Sequence, residues 1–248
     1  MTHTRTAFLA PAFALALLTG TASADLALDD YTTQIGGAGL DISLGEAGDF
    51  VSATDLGIPL LGTIGDRTTT LTVTHVLPQL PFGDIDAQTF TLTNPVDVDG
   101  NYTVQPGNFL NINSGLGLSG FEIELSYDFT GVDLLALGNA FEFELGSGDF
   151  DIDNRPDNPA FLPFEITLTS GSDSASASTL VSDEGMYSID FSAYSGVDLS
   201  NITNVTVTFG GEVVTPDLLL GTVRVIPAPG GLAMLGVIGL VGGRRRRG

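Results

Sequence analysis

The chain has 248 residues with no cysteine, no tryptophan and no lysine. That excludes disulfide frameworks and cysteine metal sites and leaves stability to core burial, hydrogen bonds or bound ions. All 30 acidic residues fall between Asp25 and Asp217, where only Arg67, Arg155 and Arg224 oppose them, so this body carries about −27 charges and repels nucleic acid and anionic lipid.

At the N-terminus Arg5 precedes the apolar run Ala7 to Leu18, and Ala22-Ser-Ala24 supplies the small residues of a cleavage site before Asp25. This pattern predicts a secretory signal peptide over residues 1–24. A membrane anchor is the alternative, but the run is too short for about 30 Å of hydrocarbon and contains Pro11.

Residues 25–225 form the body. Thr68–Val76, Thr89–Thr93, Phe121–Leu125, Phe141–Leu145, Phe164–Leu168, Met186–Phe191 and Asn204–Phe209 alternate with period two and place Phe, Ile, Leu or Val on one face. Such alternation is the mark of half-buried strands. No helical stripe interrupts them. Short strands separated by Gly-, Pro-, Asn- and Asp-rich turns predict an all-β fold, an antiparallel β-sandwich of jelly-roll type. A closed barrel is the alternative; an outer-membrane barrel would need aromatic girdles that these strands lack.

Within the body, Glu122 with Glu124 and Glu142 with Glu144 are paired carboxylates of the type that glycosidases use. The same alternation explains them as the solvent face of two strands. Asp149, Asp151, Asp153 and Asp157 place carboxylates at close spacing, and Asp97-Val-Asp99 does so again. Hard cations take such oxygen-rich sets, so the first run is a candidate structural calcium site. It is not an EF-hand, because Asn154 stands at the glycine position and Ala160 at the position of the bidentate glutamate. His75 is the only histidine beyond the signal segment, which leaves no partner for a histidine triad or a multi-histidine metal site. Arg67 and Arg155 are expected to pair with nearby acids. Sugar platforms stack pyranose rings on Trp or Tyr, so a binding face here would have to gather Tyr31, Tyr102, Tyr127, Tyr187 or Tyr194.

Residues 226–248 carry three elements in succession. Pro227 and Pro229 impose an extended segment. Gly230 to Gly243 is apolar and glycine-rich, able to enter a bilayer as a helix, and Arg244, Arg245, Arg246 and Arg247 would hold its far end on the cytoplasmic side. A plain single-pass anchor is the alternative, and the apolar run is short of the roughly 20 residues that a permanent span needs.

This order of proline triplet, apolar helix and terminal arginine cluster resembles the PEP-CTERM sorting signal in a Pro-Ala-Pro form. The resemblance covers the tail alone. It implies recognition at Pro227, Ala228 and Pro229 by an exosortase-type enzyme, transient tethering to the inner membrane, and release to the cell surface or extracellular polymer. Ala228 replaces the glutamate of the name-giving pattern. The body resembles the jelly-roll surface domains that accompany such tails, through Leu28-Asp-Asp-Tyr-Thr32, Gly65-Asp-Arg-Thr68, Gly120-Phe-Glu-Ile-Glu-Leu125 and the segment Ile189 to Phe209. That resemblance implies a galactose-binding-like or carbohydrate-binding-like architecture.

Together these features predict a non-enzymatic secreted surface or matrix protein with no catalytic residues and no cofactor beyond the candidate calcium. The alternatives are a carbohydrate-binding module contacting extracellular polysaccharide, and a glycan-acting enzyme built on the paired carboxylates.

Overall fold

The computed structural model describes residues 26–76, 83–97, 103–113, 119–146, 162–181, 184–214 and 217–227. In chain order the strands are β1 (Leu26–Asp29), β2 (Leu40–Gly45), β3 (Phe50–Leu60), β4 (Thr63–Val76), β5 (Gly83–Leu92), β6 (Val96–Asp97), β7 (Thr103–Val104) and β8 (Gly107–Asn113). There follow β9 (Ser119–Val132), β10 (Ala140–Gly146), β11 (Leu162–Ser170), β12 (Asp173–Val181), β13 (Gly185–Asp190), β14 (Ile202–Val214), β15 (Asp217–Leu220) and β16 (Val223–Ile226). The one α-helical turn among the described residues, α1 (Leu134–Leu137), is capped by the Asp133 carboxylate, which accepts from the Ala136 N–H at 3.0 Å.

The strands form an antiparallel β-sandwich. One sheet has six strands in the order β12-β11-β14-β9-β4-β3; the other has eight, running β1-β16-β10-β15-β8-β5-β2 with β13 on the far side of β10. Six of the seven alternating segments supply an apolar row to the space between them, Thr89–Thr93 being the exception. Leu71 and Val73 from β4, Ile123 and Leu125 from β9, and Ile166 and Leu168 from β11 meet Leu110 and Ile112 from β8, Phe141 and Leu145 from β10, and Val223 and Val225 from β16. Phe143 of β10 crosses the gap to stack on Phe164 of β11 at 3.7 Å between ring centroids, with Tyr187 and Phe209 extending the stack. Offset stacking of this kind adds about 1 kcal/mol per pair beyond the area buried.

Two turns fix the register where the site and the chain ends are built. In the β3–β4 hairpin, Leu61 and Gly62 both have positive φ (46° and 75°), the conformation of a two-residue turn that matches strand twist. Leu61 bears the cost because its side chain is buried and its N–H donates to the Ala27 carbonyl at 2.9 Å. In the eight-stranded sheet, β15 and β16 form one interrupted strand along β10, with β8 flanking the first half and β1 the second. The interruption is at Gly221, whose N–H donates to the Glu144 carbonyl; a Cβ there would meet the Glu144 Cβ at 2.9 Å. Leu26 pairs with Val225, so the first and last strands run side by side and both chain ends leave at one pole of the sandwich.

One predicted face is reversed. In β5 the core row is Ile85 and Ala87, whereas Phe90 lies on the outer surface, 45 % exposed. The cause is its cross-strand partner Phe109, which also faces outward, so the two rings share the outer side of the sheet. The predicted signal segment and the tail beyond Pro227 lie outside the described residues. Among the described residues no helix is long and apolar enough to cross a membrane.

Candidate functional site

A groove of about 410 Å³ lies on the outer face of the eight-stranded sheet. Strand alternation builds it. Leu110 and Ile112 of β8 point inward, leaving Phe109 toward the groove with Asn108 at its edge; Glu144 alternates with Phe143 and Leu145 on β10; Arg224 alternates with Val223 and Val225 on β16; and Met186 pairs with Glu144 from β13. Phe109 is the floor, only 2 % exposed, because the chain closes over it at Gly107 and Gly221. Met186, 47 % exposed, is an open apolar wall. Arg224 donates from Nε to Glu142 Oε1 at 2.8 Å and from Nη2 to the same oxygen, which orients the guanidinium across the sheet face.

The second charged constellation is enclosed. Arg67 of β4 lies in phase with Thr69, Leu71 and Val73 and is fully buried. Its Nη1 donates to Asp29 Oδ2 at 2.6 Å, its Nη2 to Asp55 Oδ2 at 2.8 Å and to the Thr33 carbonyl at 2.9 Å. Tyr127 donates to the same Asp29 oxygen at 3.2 Å and the Tyr31 N–H to the other at 2.8 Å. Burial is the largest influence on Asp29 and pushes its carboxyl up, with Arg67 opposing. Burial likewise works against the Arg67 charge, but Asp29 and Asp55 outweigh it and hold the guanidinium above its ordinary range. The phenols of Tyr31 and Tyr127 are pushed well above their usual range, first by burial and then by neighbouring negative charge. With the Arg67 guanidinium enclosed between Asp29, Asp55 and the Thr33 carbonyl, this cluster fastens β1 and the segment after it to the sandwich.

The predicted residues distribute as follows. Glu122 and Glu124 lie on the outer face of the six-stranded sheet and Glu142 and Glu144 on the outer face of the eight-stranded one, with the core between the pairs. The two pairs therefore do not face each other across a cleft, as an acid–base pair must. Arg67 pairs with acids as expected, but inside the protein. Tyr31, Tyr127 and Tyr194 are buried and Tyr187 stacks on Phe143, so these four do not form an exposed platform. Tyr102, Arg155, Asp149, Asp151, Asp153 and Asp157 lie outside the described residues, as do Ala228, Pro229 and Arg244 to Arg247. Pro227 directly follows β16. Among the described residues no three His, Asp or Glu side chains are grouped to hold a metal ion. His75 lies on β4.

The sequence reading missed Arg224 and Phe109 as lining residues of one groove. The alternation of Val223-Arg-Val225 was visible, but β10 and β8, which flank the interrupted strand β15–β16, are remote from it in the chain.

No protein-family model and no curated protein sequence matches the chain. Among solved structures it is similar to the family 11 carbohydrate-binding module of the cellulosomal cellulase Lic26A-Cel5E of Clostridium thermocellum, at 13% identity and a TM-score of 0.35, over 83% of this chain and 96% of that one. It is also similar to the family 30 carbohydrate-binding module of the cellulase Cel9D-Cel44B of the same organism, at 11% identity and a TM-score of 0.34, over 76% and 98% of the two chains. An exo-beta-agarase aligns at 14% identity and a TM-score of 0.36, over 59% of this chain and 23% of that one.

Proposed function

We propose that this chain is an exported, non-catalytic β-sandwich that binds a polysaccharide in the groove on the outer face of its eight-stranded sheet. The observation that carries the reading is the groove's composition: an apolar floor and wall, Phe109 and Met186, beside Asn108, Glu144 and Arg224. Sugar rings present C–H faces to apolar surface and hydroxyls to amides, carboxylates and guanidinium groups, so the groove offers both kinds of contact in one place. Its length runs across several strands, which suits a chain of sugars better than a single ring.

Binding is tested by screening the exported protein on an array of plant, algal and bacterial polysaccharides, followed by calorimetry on the hits. The expected result is saturable binding that Arg224→Ala and Met186→Ala weaken while the protein stays folded. Binding that both variants leave unchanged, or folded protein that binds no class, would sink the reading.

Delivery belongs to the same proposal: a signal peptide over residues 1–24 and a sorting tail over 226–248 with processing near Pro227, Ala228 and Pro229. Two features support it. β16 stops at Ile226, one residue before a proline that has no N–H for a sheet ladder, and β1 begins beside it, so both predicted membrane-directed segments start at the same pole. Mass spectrometry of the mature protein tests the route. A C-terminus near residues 227–229 is expected; an intact arginine tail in the membrane fraction would leave a plain anchor.

A further inference from the structure

Sheet edges present unpaired backbone groups and are normally blunted against further pairing. Three of the edges here carry such devices. β3 has a bulge between Asp55 and Ile58 followed by Pro59; β2 has a register shift between Ile42 and Gly45 and carries Asp41; β1 is four residues long and shifts register between Ala27 and Asp29. β13, six residues long, ends on Asp190.

The edge formed by β12 has none of these beyond Asp173 at its first position. It pairs with β11 over nine consecutive positions without a shift, and among the described residues no strand pairs with its other side. From Ser174 to Val181 it carries no charge, proline or glycine, and its centre reads Ser-Ala-Ser-Ala-Ser. Leu180 stands on its outer face, 60 % exposed. The Ser170↔Asp173 pair closes the hairpin, so by antiparallel alternation the backbone groups of Ser174, Ser176, Ser178 and Leu180 point away from β11.

We propose that β12 is a docking edge for the β12 of a second copy of this chain, joining two six-stranded sheets across a two-fold axis. Charge selects this edge. A body at about −27 repels its own copy over most of its surface, and β12 is an uncharged strip along which two copies can approach. Self-complementarity selects the register. With the axis at Ala177, the outward groups of Ser176 and Ser178 meet those of Ser178 and Ser176 of the second copy, and Ser174 meets Leu180. Every outward N–H and C=O of the four residues then gains a partner, and at the centre small side chains oppose small ones. Asp173 falls opposite Val181, which keeps the two Asp173 carboxylates roughly 27 Å apart along the strands, well beyond the ~8 Å screening length at physiological salt. This pairing does not rest on the polysaccharide reading, since the groove is on the other sheet.

The test uses the exported protein. Sedimentation over a micromolar concentration series is expected to show a monomer–dimer equilibrium, and Ser178→Pro, which deletes an outward N–H at an edge that tolerates proline, is expected to weaken it by roughly tenfold or more. Ser178→Asp, which adds like charge at the axis, is the second variant should the first fail to fold. Because the chain lacks cysteine, Ala177→Cys is expected to yield a disulfide-linked dimer on mild oxidation, the two Cβ atoms being about 5 Å apart across the axis. Ala175→Cys, with its two copies offset by about 13 Å, is expected to stay monomeric. A monomer at every concentration, a dimer indifferent to both Ser178 substitutions, or equal cross-linking at positions 175 and 177 would overturn the proposal.

Discussion

Arg67 and Arg224 are both strand residues flanked by alternating neighbours, yet one is enclosed and the other faces the groove. Arg67 points between the sheets, where two carboxylates, a backbone carbonyl and two tyrosines surround it. Arg224 points outward and is held by Glu142 on the neighbouring strand. The difference is one of phase along a strand: the first guanidinium ties the chain's beginning to the sandwich, and the second lines the groove at the surface.

Removing the inner charge should have the largest effect. Arg67→Met leaves Asp29 and Asp55 without their cation in a low-dielectric setting, and urea unfolding is expected to show a loss of about 3–5 kcal/mol. Adding Asp29→Asn to that variant should restore part of the loss, because one stranded charge is removed. A double variant no more stable than the single one would mean that Asp29 is not the source of the penalty.

Alkali attacks the same interior from another side. Tyr31, Tyr127 and Tyr194 are buried with phenols pushed above their normal range, so the folded state keeps protons that the unfolded chain releases above pH ~10. Their contribution is therefore intact below that pH and lost as the pH rises further. Each should cost roughly 1 kcal/mol over the first unit above pH ~10, about 3 for the three together, measurable as denaturant midpoints between pH ~10 and ~11. A flat profile there would show that these phenols are reached by solvent.

At the outer site the order of effects reverses. Arg224→Ala is expected to change stability by no more than about 1 kcal/mol, as partly exposed ion pairs do, while weakening polysaccharide binding by roughly tenfold or more in calorimetry. A large stability loss with unchanged binding would assign Arg224 to the scaffold alongside Arg67. Met186→Ala should have the smallest effect, a severalfold loss of affinity from apolar area removed at the groove wall.

Much of the sandwich was legible because a half-buried strand must alternate. All seven period-two segments are strands, and the core positions of β9, β10, β11 and β14 follow from their Phe, Ile, Leu and Val rows. The strands that escaped notice lack that contrast. β12 is built of Ser and Ala with little apolar signal, and β15 reads as an unbroken apolar run, Leu218-Leu-Leu220, whose alternation comes only from its two partners. Arg67 could have been read as inward from its phase with Leu71 and Val73, but a charge on a core row is interpretable only once Asp29 and Asp55, 38 and 12 residues away, are known to meet it. Phe90 misled for the opposite reason: an apolar residue on a strand is core by default, and only its pairing with Phe109 reveals an outer aromatic pair.

By itself the sequence determined the fold class, the strongly acidic body and the absence of disulfide chemistry. These depend on composition and on local periodicity, which neighbouring residues carry among themselves. Only the tertiary structure decided which arginine is enclosed, which carboxylates share a face, that Phe109, Met186 and Arg224 line one groove, and that among the described residues no strand pairs with the outer side of β12. Each of those depends on which strands become neighbours, and in a sandwich whose first strand pairs with its last, that information is spread over the whole chain.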